Sequence, residues 1–122
     1  MTHSRLEITK DFTFEAAHFF EHEAKDHPFA RLHGHSFAGS VTLAGEPNDK
    51  GWIKDTWKIE QIVKVEVAKL DHRLLNEVEG LERPTLENIC RWAAAQLQPG
   101  FPGLKAIRVS RPSNGETCIY DI

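Results

Sequence analysis

Apolar and polar residues alternate along "LEITKDFTFEAAH", residues 6–18, where Leu6, Ile8, Phe12, Phe14, Ala16 and His18 share one parity. That period of two predicts a strand with one buried face. A polar loop, "FFEHEAKDHPFAR", follows. The alternation then resumes in "LHGHSFAGSVTLAG", with His33, His35, Phe37, Val41 and Leu43 on one parity. "EPNDKG" reads as a turn from its Pro, Asn, Asp and Gly.

The period then changes. Ile59, Ile62, Val63, Glu66, Val67 and Leu70 recur at helical spacing, with Glu66 the polar exception. Asp55 or Thr56 can cap this helix. Its β-branched residues are mediocre helix formers, so packing must hold it. "NEVEGLERP" reads as a loop. Thr85 caps a second helix with the apolar stripe Ile89, Trp92, Ala93 and Leu97, and "QPGFPG" stops it. "LKAIRVS" and "TCIYDI" read as two short strands around a turn at "RPSNG". The order ββααββ predicts an α+β fold: a four-stranded antiparallel sheet with two helices on one face. No repeat, linker or low-complexity stretch divides the 122 residues, so residues 1–122 read as a single domain.

Composition narrows the function classes. The chain is 40% apolar and 27% charged, with a formal net charge of −3 and a pI near 6.1. That balance gives no electrostatic footing for nucleic acid or a membrane surface. No apolar run approaches the roughly 20 residues of a membrane helix. "MTHSRLEITKDFTF" has no apolar signal core. Cys90 and Cys118 are far apart in sequence and lack C-x-x-C spacing, which suits a reduced, cytoplasmic protein.

The candidate chemistry lies in the histidines. His33 and His35 are two apart, so a strand aims both imidazoles to one side. His18 ends the first strand on its Phe12/Phe14 face. If the two strands pair antiparallel across the loop, all three rings meet at one end of the sheet. Three imidazoles with a fourth position open form a catalytic type of zinc site. The plainer alternative for His18 is a half-buried histidine at a strand end.

"FTFEAAH", "RLHGHSF", "LDHRLLNE", "PTLEN" and "CIY" together resemble the 6-pyruvoyl-tetrahydropterin synthase and 6-carboxy-tetrahydropterin synthase family, from about Phe12 to Tyr120. The chain looks most like the bacterial 6-carboxy branch of queuosine biosynthesis. The resemblance implies a T-fold whose subunits join sheets into a trimeric barrel, two trimers stacking as a homohexamer with active sites at subunit interfaces. It implies that His18, His33 and His35 ligate Zn2+. It implies that Asp71 orients His72 for proton transfer, and that Thr85 and Glu87 help to hold a pterin. Without it, Asp71 and His72 would read as a helix end, and Thr85 and Glu87 as plain capping. The implied reaction is that of a zinc-dependent lyase on a dihydropterin such as 7,8-dihydroneopterin triphosphate.

Two positions depart from the family pattern. Phe29 stands where a catalytic cysteine is usual, four residues before the first histidine of "HGH", and phenylalanine takes no proton. His27 and Asp26 are the nearest replacement bases in sequence. An extended segment would put His27 on the same side as Phe29, and imidazole titrates near neutrality. Arg111 stands where the family has a glutamate that accepts hydrogen bonds from the pterin, or Pro112 does if the loop shifts by one. Arginine has five donors and no acceptor, so it suits a carbonyl, carboxylate or phosphate instead. Glu116, just after, can supply the missing carboxylate. Three functions therefore stand open: a pterin lyase with a replacement base, a zinc lyase or hydrolase on another small molecule, and a non-catalytic oligomer that binds zinc and a pterin-like ligand.

Overall fold

The computed structural model describes residues 5–122. In chain order the elements are β1 (Leu6–His18), β2 (His33–Gly45), α1 (Thr56–Val67), β3 (Arg73–Leu74), α2 (Leu86–Leu97), β4 (Leu104–Arg111) and β5 (Glu116–Asp121). The strands form one sheet in the order β3-β1-β2-β4-β5. The α+β architecture and the four long antiparallel strands follow the hydrophobic pattern. β1 and β2 pair along their whole length, from Leu6 opposite Gly45 to His18 opposite His33.

The sheet is mixed, with five strands where the pattern predicts four. β3 runs parallel to β1, with Arg73 beside Ala16 and Leu74 beside Ala17. Two residues are too few to leave a periodic signal in sequence. The strand forms because the chain leaving α1 is tied to β1 just before it. The Glu15 amide donates to Asp71 Oδ1 at 2.9 Å, and the His72 amide donates to the Glu15 carbonyl at 2.6 Å.

Both helices cover the sheet face that carries the even-numbered residues of β1. Asp55 caps α1 by accepting from the Trp57 amide at 2.9 Å, and α1 buries Ile59 and Val63. Thr85 caps α2 by accepting from the Asn88 amide at 3.1 Å, and α2 buries Leu86, Ile89, Cys90, Trp92, Ala93, Ala94 and Leu97. Facing them from the sheet are Phe14, Phe37, Val41, Leu43, Ile107 and Val109, all nearly inaccessible. The Phe14 and Phe37 rings stack at 4.7 Å across β1 and β2. The opposite face is polar and open; Thr9, Asp11, Thr13 and Glu15 are exposed along β1. No helix among the described residues is long and apolar enough to cross a membrane.

Gly39 marks the tightest point of the sheet. A Cβ there would lie 2.6 Å from the Arg108 carbonyl oxygen and would also collide with the Phe12 ring. Overpacking of this kind costs about 1–3 kcal/mol. Gly39→Ala should therefore lower the denaturant midpoint by a corresponding amount, and an unchanged midpoint would show that the sheet yields there.

Candidate metal centre

The pairing of β1 with β2 decides where the histidines go. His18 lies opposite His33, and His35 lies opposite Ala16, the next residue of β1 on the His18 face. Residues opposite or two apart share a face, so the three rings converge. Ring centroids are 4.6 Å apart for His18 and His33, 5.0 Å for His18 and His35, and 4.9 Å for His33 and His35. One ligand nitrogen from each lies within 4.8 Å of the others.

Backbone carbonyls set the tautomers. A carbonyl only accepts, so His18 donates its Nδ1 proton to Pro84 at 3.1 Å, and His33 donates its own to Arg31 at 2.6 Å. Each neutral ring is left with its lone pair on Nε2. His18 Nε2 and His35 Nε2 are buried with no hydrogen-bond partner. Buried polar atoms are rarely left unpaired, and imidazole lone pairs turned toward one another are a donor set for a divalent transition metal. The residues present thus fit a metal ion.

Burial favours the neutral form of His18 and His35. Burial pulls the His18 pKa down from 6.5 to about 4, against the opposing pull of the Pro84 carbonyl, while His33, His35 and Arg111 lower it further. Burial also lowers the His35 pKa, with Arg111 the next cause. A neutral imidazole is the form that binds metal.

Asp71 and His72 sit beside this centre. The His72 ring donates from Nδ1 to Asp71 Oδ2 at 3.1 Å, and the ring is 79% exposed. The Glu15 amide, and then His72, hold the Asp71 carboxyl below its usual range. His72 has φ of 58°, the one described non-glycine residue with positive φ. Strained backbone of this kind costs about 1–3 kcal/mol and clusters at functional sites. His72 and His35 line one shallow cleft of about 410 Å³ with Glu15, Ala16, Ala17, Gly34 and Ser36.

The other expected site residues fall into place around these two groups. Arg111 ends β4, is 13% exposed and pairs with Glu116 at 2.9 Å. Thr85 caps α2 directly after Pro84, the residue that holds His18. Glu87 is exposed in the first turn of α2. Phe29 is 47% exposed. Its ring packs 5.9 Å from Phe20, which packs 4.9 Å from His18. His27 lies on the far side of Phe29, with ring centroids 4.9 Å apart, and its Nδ1 accepts from the Phe29 amide at 3.1 Å.

Several supports escape the sequence. The Pro84 and Arg31 carbonyls carry no side-chain signature. Asn76 clamps the residue after His18, accepting from the Phe19 amide at 3.1 Å and donating to its carbonyl at 2.8 Å. Its position in a polar loop is the only hint the sequence offers.

A family model for 6-pyruvoyl tetrahydropterin synthase matches residues 7–122. The chain belongs to that family. It is 40% identical over 119 residues to the 6-carboxy-5,6,7,8-tetrahydropterin synthase of Synechocystis, covering 91% of this chain and 86% of the relative. It is 36% identical over 91 residues to the dihydroneopterin monophosphate aldolase of Pyrococcus furiosus, covering 75% and 74%. The 6-pyruvoyl tetrahydropterin synthase of Caenorhabditis elegans has the same fold, with a TM-score of 0.85 at 22% identity over 98% of this chain and 96% of that one. The architecture is the T-fold of these proteins. The relatives are pterin-metabolising enzymes, and this chain is a tetrahydropterin synthase or aldolase relative by family.

Desolvation of His18 makes stability pH-dependent. The unfolded imidazole protonates near 6.5 and the folded one only near 4, so the unfolded chain binds more protons between those values. Metal-free protein should hold its His18-linked stability above pH 6.5 and lose it as pH falls toward 4. Thermal melts across that range should show a shallower fall for His18→Gln than for wild type; equal slopes would contradict the burial.

Proposed function

We propose that this protein is a zinc-dependent lyase acting on a dihydropterin such as 7,8-dihydroneopterin triphosphate. The observation that carries the reading is the three-histidine centre beside a strained Asp71–His72 pair. His18, His33 and His35 would hold the zinc through their nitrogens. Bound there, zinc supplies Lewis acidity toward substrate oxygens.

The chain's own groups supply the rest. Asp71 takes the Nδ1 proton of His72 in a hydrogen bond, which leaves Nε2 as the basic atom on an exposed ring. A carboxylate oriented in this way stabilises the imidazolium that forms when the base takes a proton. We therefore assign proton transfer to His72. His27 spends its Nδ1 lone pair on the Phe29 amide, so its role is to fix the Phe29 loop. Phe29, half exposed, offers an apolar wall for a flat heterocycle. To Thr85 and Glu87, at the start of α2, we assign contacts with the same ligand, supported by the cap position directly after Pro84.

The protein is further proposed to assemble as a homohexamer of two trimers and to work in the cytoplasm, with no nucleic-acid or membrane partner. The sheet ends in β5, where Ile119 is 65% and Tyr120 37% exposed. An open apolar edge strand is normally covered by pairing. Both cysteines are free, which suits a reducing compartment. The non-catalytic reading rests on Phe29, since no thiol stands there.

Four measurements test this reading. Product analysis after incubation with dihydroneopterin triphosphate should show a new dihydropterin; unchanged substrate would favour the non-catalytic reading. The purified chain should carry about one zinc per subunit, and His33→Ala should lose it. His72→Gly removes the base yet accepts positive φ freely, so turnover should fall by roughly 10²–10⁴-fold while stability holds or rises. Retained turnover would remove His72 from the chemistry. Light scattering should give a hexamer, and a clean monomer of 13.9 kDa would contradict the assembly.

A further inference from the structure

Arg111 is the least explained charge in the protein. β2 and β4 pair Ala38 with Ser110 and Gly39 with Val109, so one step further places Arg111 beside Phe37. Residues opposite one another share a face, and that face also carries His35. Phe37 itself packs edge-on against His35 and His18, at 5.6 and 5.9 Å. The guanidinium therefore lies on the metal-centre side of the sheet, at its histidine-bearing end.

One of its five N–H groups is satisfied there by Glu116 Oε1 at 2.9 Å, across the β4–β5 turn. That turn closes through Gly115, whose φ of 69° lets the two side chains meet. The Nε–H is buried and has no partner. Leaving a buried charged donor unpaired is costly, and such a donor in a ligand site is satisfied when the ligand arrives.

We propose that Arg111, held in place by Glu116, is an oxyanion subsite that receives a phosphate or carboxylate group of the small molecule bound at the three-histidine centre. The assignment rests on that centre being a small-molecule site. An anion on Nε–H forms a charge-assisted bond and competes with Glu116 for the same guanidinium. Glu116 thus acts as a positioning residue and as a stand-in for the ligand's charge.

Calorimetry on the protein as purified tests this with four probes: dihydroneopterin, its monophosphate, inorganic phosphate and acetate. Wild type should bind the monophosphate roughly ten- to hundredfold tighter than dihydroneopterin, the range for one charge-assisted hydrogen bond. Arg111→Met should bring that ratio near one. Glu116→Gln keeps an amide oxygen that can still accept from the guanidinium and position it but removes the competing charge, so it should bind phosphate more tightly than wild type. A ratio unchanged in Arg111→Met, or weaker phosphate binding in Glu116→Gln, overturns the subsite. Should wild type bind neither dihydropterin, the pterin reading falls and the two simple anions decide. Binding of either one that Arg111→Met abolishes supports the subsite, and the preferred anion names the group it takes. Binding of neither overturns it.

Discussion

Antiparallel register between β1 and β2 is the constraint on which the site depends. His18 opposite His33, with Ala16 opposite His35, puts three imidazoles on one face at one end of the sheet. A slip of one residue would turn every side chain of a strand to the opposite face, breaking the cluster and the Phe14–Phe37 stack together. The same hydrophobic face therefore fixes both the core and the three-histidine cluster. Gly39 belongs to this arrangement because the register brings Phe12 and the Arg108 carbonyl against it.

Around that register the protein builds a nitrogen cage with His18 at its buried end. His18 is fully buried, its outer nitrogen tied to Pro84, and His33 is tied to Arg31. Each carbonyl fixes a tautomer, so a lone pair faces inward; such outer contacts orient metal-binding imidazoles. The Thr85 cap that starts α2 directly follows Pro84, so the helix that covers the core also sets the His18 ring. On the other side Glu15 carries Asp71 and His72 through its backbone. One stretch of β1, residues 15–18, thus connects the Asp71–His72 pair to the three-histidine cluster.

Much of this was legible in the sequence because it follows period and parity. β1, β2, both helices and their order come from apolar spacing, and the meeting of His18, His33 and His35 follows from parity and antiparallel pairing. Asp55 and Thr85 were readable as caps. What escaped was non-periodic or carried by backbone. β3 has two residues and arises from hydrogen bonds to Glu15. The Pro84 and Arg31 carbonyls are invisible in side-chain chemistry. The positive φ of His72 was not read from the sequence, because non-glycine residues of any type seldom adopt it. Arg111 was legible as a departure from the family pattern, whereas its pairing with Glu116 needed the turn geometry.

X-ray absorption at the zinc edge of the purified protein measures the central claim most directly. The account predicts three imidazole nitrogens at about 2.0–2.1 Å and one light oxygen donor in the remaining position. Sulfur in the first coordination shell, or fewer than three imidazoles, would contradict it, because the register of β1 and β2 presents three histidines and no thiol.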